Sequence, residues 1–240
     1  FLKRQKAATG VLPNRHRVVV EVVAAARGGA PGTQAVLHTL WGARVNRPFA
    51  LALDAAWERR HGHRLEMYVA DDCIAVLMPD EVSAEELLSL VDRANVESLL
   101  RERLEGSGFF GARFRECAGR ALLVTRGSPG RRMPLWVTRL RSQKLLDSVM
   151  RYPDFPILLE AWRTCLQDEF DMDALRRVLD ELESSETDWV EARTDVPSPF
   201  AESISWQQVN TYMYMTDAMP GAKSSKLRGG LLREVVFAPH

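Results

Sequence analysis

Residues 17–26 read RVVVEVVAAA, five valines around a single glutamate followed by three alanines. An unbroken β-branched run of this length reads as a buried strand. Gly28, Gly29, Pro31 and Gly32 then make a loop, and QAVLHTL (34–40) reads as a second strand. Gly42 and Pro48 punctuate residues 41–48, which read as a connection. Pro48 suits the first turn of a helix, and Ala50, Leu51, Leu53, Ala56 and Trp57 recur at helical spacing up to Gly62. Residues 64–70 and 73–78 read as strands joined by a turn at Asp71 and Asp72. Ser83, with Glu86 three positions on, is a capping box that opens a helix to about residue 91. The order β-β-α-β-β-α predicts an α+β fold built on an antiparallel sheet with helices.

A mainly helical region follows. Val96, Leu99, Leu100 and Leu104 make one apolar stripe. Further helices are predicted over 108–124, 135–150, 157–170 and 173–184, the last capped by Asp171 or Asp173. A basic loop (RGSPGRRMP, 126–134) separates the first two. Residues 187–193 suit a strand, Pro197 and Pro199 a turn, and 204–215 a last helix. The expected organisation is an α+β sheet unit over 1–92, then a helical region over 93–220, Arg-rich first and acidic second. A flexible or aberrant tail over 221–240 completes it, where GAKSSKLRGG (221–230) is linker-like. Phe1 stands where Met would open a complete protein, and the first residues read as the interior of a longer polypeptide.

The chain has 240 residues, 46% hydrophobic and 27% charged, enough apolar content for a core and against wholesale disorder. No apolar run is long enough to span a bilayer, and no membrane partner is expected. Three scattered cysteines, Cys73, Cys117 and Cys165, argue against a disulfide framework and for a reducing compartment. Formal net charge is 0, yet the charge is partitioned. Residues 113–151 carry ten basic and two acidic side chains, a net of +8, and nine of the ten are arginine. Residues 152–195 carry four basic and 13 acidic, a net of −9. Guanidinium groups fork onto phosphates and stack on bases, which suits nucleic acid. Equally, the acidic segment can fold onto the basic one and neutralise it, and composition does not decide between these.

No Walker A sequence, dinucleotide-binding glycine pattern, HExxH or GxSxG is present. His61 and His63 lack partners at metal-ligand spacing. The acidic run from Asp168 to Asp173 lacks the glycine and closing glutamate of a calcium loop. No catalytic residue set and no metal site are predicted. Two places suit a nucleic-acid strand. Trp41 and Phe49 flank Arg44, Asn46 and Arg47. Trp136 stands among arginines in PLWVTRLR, where it either stacks a base or joins Val137 and Leu140 in a core stripe.

Four segments together resemble one family: LHTLWGARVNRPFALAL (37–53), FGARFRECAGRALLVTRGSPGRRMPLWVTRLRSQKLL (110–146), YPDFPILLEAWRTCLQDEFDMDALRRVLDEL (152–182) and PSPFAESI (197–204). They are similar to the region C-terminal to the winged helix in the large helicase-related (Lhr) family of DEAD/DEAH-box helicases. The likeness runs from about residue 17 to 220. It implies a parent protein that is an ATP-dependent 3′-to-5′ helicase tied to DNA repair, in a bacterial or archaeal cytosol and associated with the nucleoid. ATP and Mg²⁺ would belong to RecA-like motor domains upstream, and no cofactor is expected in this segment. Its partners would be single-stranded DNA or an RNA:DNA hybrid, and the upstream RecA-like and winged-helix domains of the same polypeptide. The resemblance places Phe49 near the nucleic acid as a stacking wedge, with Arg44 and Asn46 on its backbone, and Arg47 is a further candidate contact in the same loop. It also places some of the arginines in its matching segments, Arg113, Arg115, Arg120, Arg131 and Arg132, along the channel or against the motor domains, with Glu116 pairing one of them internally as the alternative; Trp136, Arg139 and Arg141 are candidate nucleic-acid contacts from the basic stretch itself. The implied role is an accessory domain that completes the nucleic-acid channel. The alternative is a scaffold that docks on the motor and winged helix and binds no nucleic acid itself. The sequence departs from the family at 221–230, where a charged helix is replaced by glycines, serines and lysines.

Overall fold

The computed structural model describes residues 1–23, 33–78, 83–124, 134–202 and 204. The valine run forms β1 (Arg17–Val23), in which every residue after Arg17 is buried. β2 (Thr33–His38), β3 (Glu66–Val69) and β4 (Cys73–Met78) pair antiparallel, and β5 (Asp188–Thr194) joins β1 in parallel, giving the order β3-β4-β2-β1-β5. The register pairs Val19 with His38 on one side and with Val190 on the other. A strand with neighbours on both edges and covered faces needs no hydrophobic alternation, which explains the continuous valines. The expected antiparallel sheet is present, with the parallel β1–β5 pair added from the far end of the chain.

The chain divides into two compact units. Among the described residues, 1–103 join with 172–204 in the first unit, and 104–171 form the second. The first unit holds the sheet, α1 (Leu2–Thr9), α2 (Ala43–His61), α3 (Ala84–Ser89), α4 (Val96–Leu104) up to its last residue, and α8 (Met172–Glu183). In this division α4, up to its last residue, stays with the sheet, and α8 and β5 return to it. Ser83 caps α3 as predicted, its hydroxyl accepting from the Glu86 amide at 3.1 Å, while the Glu86 carboxylate pairs with Arg60. Helix α2 begins at Ala43, five residues before Pro48. Residues 43–47, read from sequence as a connection, are therefore helical. Pro48 lies inside the helix, where its missing N–H leaves one intrahelical bond unmade. Gly62, at φ 75°, ends α2, and its amide reaches the Glu58 carbonyl.

The second unit is built from α5 (Gly108–Arg120), α6 (Leu135–Val149), α7 (Pro156–Arg163) and a π-helical turn (Thr164–Glu169). The helix expected over 157–170 thus changes its hydrogen bonding half-way. Ser107 caps α5 through the Phe110 amide, and Pro156 takes the first position of α7, where proline fits. Phe109 stacks on Phe170, ring centroids 5.1 Å apart, and Phe110, Phe114, Cys117, Leu158 and Cys165 complete the core. All three cysteines are free and buried, and burial pushes the Cys165 thiol up to about 12. Among the described residues no helix is long and apolar enough to cross a membrane. The basic loop at 126–133 and the expected helix and tail from 205 onward lie outside the described residues.

Candidate nucleic-acid interface

The first candidate surface is the corner between β2 and α2. Here the loop 39–42 is tied to the turn before β4. The Thr39 and Leu40 amides both donate to the Asp72 carbonyl, and the Gly42 amide to the Asp71 carbonyl. Asn46 locks the same junction from within. Its amide group donates to the Ala70 and Asp71 carbonyls at 2.9 and 3.1 Å, and its oxygen accepts from the Thr39 hydroxyl at 2.7 Å. Asn46 is wholly buried. Phe49 is also wholly buried, with Trp41 edge-on at 5.4 Å. Both were expected on the nucleic acid. The structure gives them to the interior instead: the asparagine spends its polar atoms on backbone, and the phenylalanine backs Trp41. The corner presents Leu40, Trp41, Arg44 and Arg47 outward, with Arg44 exposed and Arg47 and Trp41 half-buried. Leu40 has φ 54°, in the left-handed region.

The second candidate surface is on the helical unit, where the partitioned charge resolves into two groups. Arg113 is buried. Its guanidinium bonds Glu116 at 2.8 Å, lies 3.2 Å from Glu169, and sits 5.5 Å over the Phe109 ring. Arg120 donates to the Cys117 sulfur and lies 4.0 Å from Glu160. Glu160 is in turn bidentate to Arg163, and this hydrogen bonding holds its carboxyl below the usual range. Part of the basic stretch is therefore neutralised internally, Arg113 most completely. The remainder is not. Among the described residues, Arg115, Arg139, Arg141 and Lys144 form no ion pair. Arg115 is half-buried and the other three are exposed.

Helix α6 buries Ser142, Leu146 and Val149 and turns Trp136, Leu140, Gln143 and Asp147 outward. Trp136 is 67% exposed and Leu140 48%, so neither belongs to the core stripe that their spacing allows. On α6, Trp136 and Arg139 are three residues apart and share one side of the helix, whereas Arg141, five residues on, lies on another. Arg131 and Arg132 lie outside the described residues.

A third cluster had a sequence signal that went unread, the lone glutamate among valines. Glu21 is fully buried and accepts from His38 Nε2 at 2.8 Å, from the Thr194 hydroxyl at 2.9 Å, and from the Ser198 amide and hydroxyl at 2.7 and 2.5 Å. Burial alone would raise its carboxyl, but the bonds from His38 and Ser198 outweigh that and hold it below the usual range. His38 and Ser198 are each only 1% exposed, and Thr194 is half-buried. The cluster fastens the segment after β5 across the sheet, where the Phe200 amide also donates to Gln5 of α1.

A family model described as DEAD/H associated matches residues 12–201. The chain belongs to the DEAD/H-associated family. It is 39% identical over 220 residues to the Lhr helicase/probable uracil glycosylase of Mycolicibacterium smegmatis and 36% identical over 220 residues to the Lhr helicase/uracil glycosylase of Escherichia coli. Each match covers 91% of this chain but only 14% of the relative. The ATP-dependent helicase Lhr-Core of Methanothermobacter thermautotrophicus is 29% identical over 170 residues, 70% of this chain and 20% of that protein. The fold is similar to the Mycobacterium smegmatis helicase Lhr solved bound to ssDNA and AMP-PNP. The TM-score is 0.78 at 40% identity, over 85% of this chain and 26% of that one. This DEAD/H-associated chain therefore resembles one region of the Lhr helicases and spans about a seventh of the first two relatives.

Proposed function

We propose that this chain supplies part of the single-strand-binding surface of an Lhr-type ATP-dependent 3′-to-5′ helicase. ATP and Mg²⁺ are assigned in this reading to motor domains outside these residues. The observation that carries it is the likeness, at TM-score 0.78, to a helicase solved with ssDNA. The surface chemistry supports it: exposed Trp136, Arg139, Arg141 and Lys144 on α6, and exposed Arg44 with half-buried Arg47 on α2. Arginine and lysine neutralise phosphates with release of counterions, and an exposed tryptophan offers a face to a base. Arg115 is assigned a subsidiary contact, and Arg113 a structural role.

The competing reading is a scaffold that docks on motor and winged-helix domains. The internal pairing of Arg113 and Arg120 favours it, since part of the charge is then spent on folding. Fluorescence anisotropy separates the two. A labelled single-stranded oligonucleotide is titrated with the 240-residue chain at two salt concentrations. Binding that weakens with salt is expected. Replacing Arg139, Arg141 and Lys144 with alanine removes three cations, which should reduce the slope of log K against log salt by about 2. A folded chain that binds no strand, or a slope that the triple variant leaves unchanged, refutes this assignment.

A further inference from the structure

Helix α2 ends on two histidines that the proposed function does not use. Trp57, only 1% exposed, donates from its indole Nε1 to Nε2 of His63 at 3.2 Å. An imidazole nitrogen that accepts carries no proton, so neutral His63 keeps its proton on Nδ1. That nitrogen lies 3.2 Å from the carbonyl oxygen of His61, which can only accept. One neutral tautomer satisfies both contacts, and the contacts select it. His61 stacks on the same indole, with ring centroids 3.9 Å apart and planes at 21°, and its Nε2 lies 3.6 Å from Glu86. Among the described residues no group of three His, Cys, Asp or Glu could hold a metal ion, which leaves the proton as the ligand of these rings.

A proton therefore has opposite consequences at the two positions. On His61 it faces the Glu86 carboxylate and the face of Trp57, both of which attract a cation. On His63 it arrives at Nε2, where it meets the indole N–H, donor against donor, and leaves a buried donor without an acceptor. The charged groups that the packed elements bring here are Glu58 and Arg60 on α2, Arg64 in the link to β3, Glu66 on β3, Glu86 on α3 and Arg103 on α4. Arg64 and Arg103 both turn to Glu58, Arg60 shares Glu86 with His61, and Glu66 accepts from the Tyr68 hydroxyl. Among the described residues no carboxylate pairs with His63. What His63 holds is short. Gly62, at φ 75°, closes α2, and buried Leu65 is fixed by its amide on Asp54 Oδ1 at 3.1 Å. The exposed residues 62–64 lie between. We propose that Trp57, His61 and His63 form a proton-operated clasp on this link: neutral His63 holds it to the indole, and protonation of His63 releases residues 62–64 while α2 and β3 stay in place.

The test is nuclear magnetic resonance of the isotope-labelled 240-residue chain, titrated from about pH 8 to about pH 5, where histidines change charge. It follows the His63 ring, the Trp57 indole N–H and the backbone order of residues 62–64. As the His63 ring takes its proton, the indole proton should shift upfield and exchange with solvent about tenfold faster. The heteronuclear NOE of residues 62–64 should fall with it. In His63→Gln the amide oxygen accepts from the indole and takes no proton, so both responses should vanish. In His61→Gln both should persist. A wild-type chain in which His63 titrates while the indole and the link stay unmoved overturns the proposal, as does an indole that shifts beside a link that keeps its NOE. A His63 ring that stays neutral throughout, or a His63→Gln chain that responds as wild type, overturns it too. Loss of the response in His61→Gln also overturns it and gives the pH dependence to the Glu86 pair. The wild-type titration decides the matter even where a variant fails to fold.

Discussion

Replacing Glu21 with glutamine keeps the shape of the side chain and removes its charge. In the native chain the carboxylate, itself unexposed, accepts four hydrogen bonds. Glutamine keeps one accepting oxygen and turns the other position into a donor, which faces either His38 or the Ser198 amide. Hydrogen bonds to a charged acceptor are each worth about 1.5–3 kcal/mol, and some rearrangement at Ser198 recovers part of the loss. A net cost of about 3 kcal/mol follows, or roughly 6–12 °C in melting temperature for a protein of this size. The pH dependence supplies a second signature. The Glu21 carboxyl is held low in the folded state. Its stabilisation is therefore fully present above the unfolded value of about 4.3 and lost as pH falls through the folded one. Thermal melts by circular dichroism, run from pH 7 down to pH 3, read both effects. The variant should melt lower at pH 7 and lose less stability on acidification than wild type. A variant within 2 °C of wild type at pH 7, with an unchanged acid limb, refutes the account of Glu21 as a charged tether.

Three more outcomes follow from the same geometry. Asn46→Ala removes three side-chain hydrogen bonds and should cost about 2–3 kcal/mol by urea denaturation, an effect absent if Asn46 instead serves a ligand. Arg113→Ala leaves Glu169 without its buried partner; a loss of about 2–4 kcal/mol in stability is expected, with single-strand affinity of the folded chain within twofold of wild type. Trp136→Ala should show the reverse, an unchanged melting temperature and a loss of about 1–2 kcal/mol in strand binding measured by anisotropy, and a melting temperature that falls by several degrees would place the indole in the fold.

What the sequence made legible was local. The valine run, the Ser83 cap and the strands on either side of Asp71 and Asp72 each carry their signal within a few residues, and the structure has each of them. The parallel pairing of β1 with β5 has no such signal, because its partners lie more than 160 residues apart. The start of α2 was misplaced for a physical reason. Gly42 and Pro48 both interrupt helices in general, yet here the glycine precedes the first turn and the proline sits within the helix. That shift carries Asn46 onto a buried face, where a loop reading put it in solvent. The arginine partition was visible, but which arginines it leaves outside depends on where Glu160 and Glu169 come to lie.

The parallel β1–β5 pair also orders events in time. A ribosome adding about 5–20 residues per second releases β1 well before β5, which starts at Asp188, 165 residues after β1 ends at Val23. For roughly 8–33 s at those rates one rim of an almost all-valine strand has no partner. Such a rim invites pairing with other nascent chains. Any truncation before residue 188 makes that interval permanent, so a fragment designed to isolate the sheet from the helical unit must carry β5 spliced back to it.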